Sequence, residues 1–151
     1  MNGDSQNKVL CGAFFQESDK CMIGIVDYGV GNLFSLRSSL EAIGAEVVVT
    51  SDAQVLARAD QIILPGVGAF EDAMKRIRET KLDQALLSAA KAGKPVLGIC
   101  LGMQMMFEFS EENGRFEGLG LFPGTITRFE DRGLKIPHMG WNTLQTRDCP
   151  L

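Results

Sequence analysis

Apolar residues in this chain gather in short runs at 22–27 (MIGIVD), 46–50 (EVVVT), 61–64 (QIIL) and 95–99 (PVLGI). Each is rich in aliphatic side chains and bounded by turn formers, so each is predicted to be a strand, the last one buried. Between the first two the period changes. Leu33, Leu36, Leu40 and Ile43 recur at helical spacing, with Asn32 where a cap belongs and Gly44 where a helix stops. A longer helical stretch is predicted over 69–92, broken near Thr80 and ended by Gly93. Beyond residue 99 the pattern predicts a turn and a helix from Cys100 to about Phe109, then strands at 125–129 and within 134–144.

Strands separated by helices form βαβ units, and these build a mostly parallel sheet covered by helices on both faces. The fold class expected is therefore a three-layer α/β fold. Right-handed crossovers bring the loops that follow the strands to one edge, where ligands of such sheets bind. The glycine-rich segments at 28–32, 65–68 and 98–102 all fall on that edge.

Residues 1–21 lie outside this alternation. They lack the basic start and long apolar core of a signal peptide, and carry Asp4, Glu17 and Asp19 but no arginine, unlike a transit peptide. They are expected to form a loose N-terminal extension, with Met22 opening the domain proper at 22–151. The net charge of −4 argues against a nucleic-acid partner, and no apolar run reaches the roughly 18 residues of a membrane span. Cys11, Cys21, Cys100 and Cys149 form no CxxC pair, and the single histidine allows no HxxxH pair. No metal or other cofactor is expected, and a reducing, cytoplasmic setting fits better than a disulfide framework.

The sharpest chemical signal is Gly98-Ile99-Cys100-Leu101-Gly102, which follows one predicted strand and precedes a helix. A G-x-nucleophile-x-G turn is so tight that side chains beside the nucleophile would collide, hence the glycines. It holds the nucleophile strained and exposed, and amides at a helix start favour a thiolate. Pro65-Gly66-Val67-Gly68-Ala69-Phe70 follows another strand. It is either an ordinary strand-to-helix turn or, beside an elbow, the second donor of an oxyanion hole whose first donor is the Leu101 amide. Gln104 stands one helical turn after Cys100, as a substrate-binding carboxamide or as a solvated side chain. Lys135-Ile136-Pro137-His138-Met139-Gly140-Trp141-Asn142 holds the only histidine and the only tryptophan. From composition alone His138 is either a partner for Cys100 or a structural or interface residue.

PGVGAF at 65–70, GICLGMQ at 98–104, GLGLFPGTI at 118–126 and KIPHMGWN at 135–142, preceded by DYGVGN at 27–32, closely resemble the glutaminase subunits of imidazole glycerol phosphate synthase. The elbow is common to class I glutamine amidotransferases, whereas PGVGAF with PHMGWN is specific to these subunits. The resemblance runs from Met22 to the last residue. It implies hydrolysis of glutamine and transfer of ammonia to a (β/α)8-barrel cyclase in histidine biosynthesis, the two forming a heterodimer. By the same resemblance Cys100 is the nucleophile. Gly66, Val67, Gly68 and Leu101 belong to the oxyanion-binding region, and Gln104 binds glutamine. Asn32, His138, Met139 and Trp141 face the cyclase, so His138 is not the base. The family's base and its orienting acid form a His-x-Glu pair after PHMGWN, and the sequence given, which ends at Leu151, lacks it. The expectation is a C-terminally truncated domain with little activity alone; the alternative is a non-catalytic remnant. A different elbow enzyme, such as a cysteine peptidase using His138, is disfavoured by the PHMGWN context.

Overall fold

A computed structural model describes residues 21–133, 135–137, 139–143 and 145. The expected extension at 1–21 therefore lies outside the described residues except for Cys21, as does His138. The chain opens with β1 (Met22–Val26), α1 (Leu33–Ala42), β2 (Glu46–Thr50), α2 (Ala53–Arg58) and β3 (Gln61–Leu64), of which all but α2 match the apolar pattern. They are followed by α3 (Phe70–Glu79), α4 (Leu82–Lys91), β4 (Val96–Gly98), α5 (Leu101–Met105), β5 (Phe107–Ser110), β6 (Phe116–Glu117) and β7 (Phe122–Ile126).

The first four strands form one sheet in the order β2-β1-β3-β4, and every neighbouring pair is parallel. Alternation along the strands sorts side chains to two faces. Ile23, Ile25 and Ile63 meet Leu33, Leu36 and Leu40 of α1 on one face. Val26, Ile62 and Leu64 meet α2 to α5 on the other, through Leu56, Phe70, Met74, Ile77, Leu82, Leu86, Leu101 and Met105. The result is the three-layer α/β arrangement the pattern implies. Local chemistry supports each start and stop. Asn32 Oδ1 accepts the Ser35 amide at the head of α1, and Asp52 Oδ1 accepts the Gln54 amide at the head of α2. The long helical stretch breaks where Lys81 turns to φ 58, separating α3 from α4.

Four expectations need correction. The run at 95–99 is not a buried strand: β4 is the edge of the four-stranded sheet, and Leu97 is 39% exposed because nothing in the described residues pairs with its outer side. The helix after Cys100 does not reach Phe109. It stops at Met105, and the alternating Phe107 and Phe109 enter β5 instead. The strand expected at 125–129 is β7, at Phe122–Ile126, and the described residues between 134 and 144 are not strand. Finally, α2 went unforeseen, because its six residues contribute one buried side chain, Leu56, and give no readable period.

The strands β6-β5-β7 form a second, small sheet braced against α3. The carboxylate of Glu112, in the turn between β5 and β6, accepts the Phe70 amide at 2.8 Å, and Arg78 donates to the Glu117 carbonyl at 3.0 Å. The position of β4 gives a direct comparison between two leucines. In the 151-residue polypeptide Leu86→Ala, which empties a fully buried site, is expected to cost about 2–5 kcal/mol. Leu97→Ala on the open edge is expected to cost less, about 1–2 kcal/mol, since part of that side chain's transfer energy was never gained. Urea unfolding of the two variants measures the difference.

Candidate active site

Cys100 is the second of the two residues between β4 and α5, at φ 55 and ψ −119 with its side chain exposed. An L-residue there is crowded by its own Cβ, a cost of order 1–3 kcal/mol. The neighbours explain why it persists. A Cβ on Gly98 would lie 2.5 Å from the Met103 Cα, and one on Gly102 would lie 1.9 Å from the Leu64 carbonyl oxygen. Both obstacles are backbone, so only glycine fits, as the elbow spacing implies. The turn is then closed by the Gly102 amide donating to the Ile99 carbonyl and the Met103 and Gln104 amides donating to that of Cys100. With five residues, α5 is too short to bring much macrodipole to the thiol, and since the Gly102, Met103 and Gln104 amides are paired within the turn, the sequence argument from a helix start reduces to the Leu101 amide.

The loop after β3 lies directly against this turn. The Ile99 amide donates to the Leu64 carbonyl at 3.0 Å, and a Cβ on Gly66 would meet the Gly102 nitrogen at 2.5 Å. Pro65 and Gly66 are buried by this contact, while Val67 and Gly68 emerge on the surface, Val67 53% exposed and Gly68 at φ +95. Gly66 to Gly68 and the Cys100–Leu101 turn thus share one corner of the sheet's carboxyl edge. Leu101 itself is buried and serves as an anchor, and Gln104 is half-buried on the same short helix.

The remaining candidates separate by role. Asn32 caps α1. Met139 and Trp141 are fully exposed, and among the described residues no contact buries them. Among the described residues no group of three or more His, Cys, Asp or Glu could hold a metal ion, and no helix is long and apolar enough to cross a membrane. One residue that the sequence did not single out stands under the corner. The Tyr28 hydroxyl, buried at the end of β1, donates to the Pro65 carbonyl at 2.8 Å and touches Met105 Sδ at 3.6 Å. Burial pushes its phenol up to about 12. The available signal was position: it is the only tyrosine and sits in a carboxyl-edge loop.

An open parallel sheet with a cysteine elbow and an adjoining glycine loop is the arrangement of a glutamine amidotransferase domain. The profile of the CobB/CobQ-like glutamine amidotransferase domain matches residues 24–139, and the chain belongs to that family. Curated relatives include HisH subunits of imidazole glycerol phosphate synthase. It is 54% identical to that of Oceanobacillus iheyensis over 128 residues, covering 85% of this chain and 63% of the relative. The Bacillus licheniformis subunit is 52% identical, over 86% of this chain and 64% of that protein, and the Synechococcus elongatus subunit 53%, over 85% and 60%. The chain thus spans less than two thirds of the length of these relatives. Among solved structures, a glutamine amidotransferase superposes with a TM-score of 0.60 at 19% identity, over 70% of this chain and 56% of that one. A peptidase E protein of Listeria monocytogenes superposes at 0.50 and 17%, over 62% and 54%. At these identities the likeness is one of fold.

Two measurements probe this corner. Cys100→Gly is expected to raise stability by about 1 kcal/mol, since glycine relieves the positive φ, whereas Cys100→Ala should not. Chemical denaturation of both variants tests the stored strain. The lone tyrosine also permits a single-residue titration. Phenolate absorbance should rise with a midpoint near 12 in the folded chain and near the usual 10 once it is unfolded. Because the folded pKa is the higher, this group's stabilisation is complete below pH 10 and lost between 10 and 12.

Proposed function

We propose that the chain carries the glutamine-hydrolysing half-site of an amidotransferase that supplies ammonia to a cyclase in histidine biosynthesis, with Cys100 as nucleophile. The observation that carries this reading is the backbone of Cys100, held at φ 55 between glycines that backbone contacts require, with the 65–68 loop packed on the same turn. In the reaction the thiolate adds to the γ-carboxamide carbon of glutamine, and the carbonyl oxygen becomes an oxyanion. Amides of Leu101 and of the Val67–Gly68 segment are the donors aimed at that charge. On collapse the departing nitrogen takes up a proton and leaves as ammonia, and the remaining γ-glutamyl thioester is hydrolysed by water to glutamate, which frees the thiol. Gln104 binds the substrate beside the thiol. Asn32, His138, Met139 and Trp141 form the surface that meets the (β/α)8-barrel cyclase, for which an exposed tryptophan is a suitable anchor.

Both proton transfers need an acid–base group, normally one histidine. The 151-residue polypeptide contains a single histidine, His138, and the resemblance assigns it to the cyclase surface. That favours a second reading for the polypeptide by itself: it binds and is acylated slowly but does not turn over. General acid–base assistance is worth about 10²–10⁴-fold per step, so without it ammonia release should fall below ordinary detection. The test is ammonia release by the purified polypeptide with and without the cyclase, alongside Cys100→Ala. Little or no release is expected. Robust turnover lost in Cys100→Ala would instead establish a base within these residues, with His138 the first to mutate. Turnover retained in Cys100→Ala would remove the nucleophile assignment.

A further inference from the structure

The loop at 65–68 is built to be soft. Gly66 and Gly68 give it little torsional resistance, and a Cβ placed on Gly68 would meet nothing within 4 Å. If its amides are to be oxyanion donors they must be aimed in advance, because such stabilisation depends on dipoles already oriented when charge develops. What holds it comes from its ends. Downstream, the Phe70 amide is held by Glu112. Upstream, Leu64 is held by the Ile99 amide, Gly66 lies against Gly102, and the carbonyl between them, that of Pro65, accepts the Tyr28 hydroxyl. Since a peptide unit is planar, fixing the Pro65 carbonyl also fixes the direction of the Gly66 amide and the start of the path to Val67.

We propose that Tyr28 is a positioning residue for the oxyanion loop, its hydroxyl setting the Pro65–Gly66 peptide plane; this rests on the reading of Cys100 as nucleophile and of the loop as donor. Tyr28 is itself well anchored. The Asp27 amide donates to the Thr50 carbonyl at 2.9 Å, the Gly29 amide donates to Asp27 Oδ1 at 3.0 Å, and the ring is buried in the main core. Its raised pKa keeps the phenol a donor at any working pH. A hydroxyl that merely satisfied its own burial would affect folding but not the chemistry at one kind of carbon over another.

That difference is the test. Two reactions of Cys100 are compared in the 151-residue chain: acylation by γ-glutamyl p-nitroanilide, read as a burst of p-nitroaniline, and alkylation by iodoacetamide. Only the first places negative charge on a carbonyl oxygen. Tyr28→Phe is expected to slow acylation about tenfold, a fraction of the loss on deleting a donor outright, and to leave alkylation within about twofold. Met105→Leu, which alters the packing on the same hydroxyl but keeps its bond to Pro65, should change neither. Unchanged acylation in Tyr28→Phe, equal slowing of both reactions, or the same split in Met105→Leu would each overturn the proposal. Should Tyr28→Phe fail to fold, a fluorinated tyrosine at this single-tyrosine position keeps the shape and lowers the phenol pKa. The ratio of acylation to alkylation should then fall as pH rises through that pKa, and a constant ratio overturns the proposal. Wild-type acylation that is absent, or that survives Cys100→Ala, would reject the nucleophile reading itself, and is distinguishable from a Tyr28 effect.

Discussion

Strands β3 and β4 end side by side, and the segment leaving one meets the turn leaving the other at a separation that no side chain permits. A Cβ on Gly66 would meet the Gly102 nitrogen, and a Cβ on Gly102 would meet the Leu64 carbonyl. This backbone-on-backbone contact fixes the rest of the corner. It forces the chain to reverse within the two residues after β4, which puts Cys100 at a positive φ and its thiol in solvent. It buries Pro65 and Gly66 and leaves Val67 and Gly68 free to face outward. It also sets the height at which Tyr28 must reach to satisfy its hydroxyl. Adding one methyl group at either glycine would push apart two elements that the sheet holds together.

The short elbow helix follows from what comes next. The Leu119 amide donates to the Met105 carbonyl, and those of Leu121 and Phe122 donate to that of Met106, so the last carbonyls of α5 are taken by an incoming strand segment rather than by further helix. Gly118 makes this approach possible, since a Cβ there would lie 2.1 Å from the Phe107 carbonyl oxygen. The GLGL stretch thus ends α5 and starts the small sheet in one movement, and Arg115 stacks over Phe109 at 4.4 Å on that sheet.

Much of this was legible in the sequence, and the boundary of legibility has physical causes. The glycines at 98 and 102 reveal the elbow because the constraint they answer is local and steric. Asn32 and Gly44 bound α1 for the same reason. The edge position of β4 was not legible, because Pro95 to Ile99 reads as apolar whichever neighbours the sheet order supplies. The end of α5 was missed because MQMMFEF suits a helix face and an alternating strand equally well, and the arbiter is a contact with residues 119–122. Tyr28 was passed over since its partner lies 37 positions away.

The carboxylate of Glu112 answers the first amide of α3 across 42 positions of chain, where Ala69 offers no capping side chain of its own. A helix capped from a distant hairpin does not fray independently. Peeling the β5–β6 hairpin away uncovers the Phe70 amide, and unwinding the first turn of α3 takes from the Glu112 carboxylate the donor it holds. The hairpin and the helix head therefore open as one cooperative unit, whose amides should exchange with solvent at a common rate. The glycine loop, tethered to that helix head, takes its looseness or its order from the hairpin that caps it.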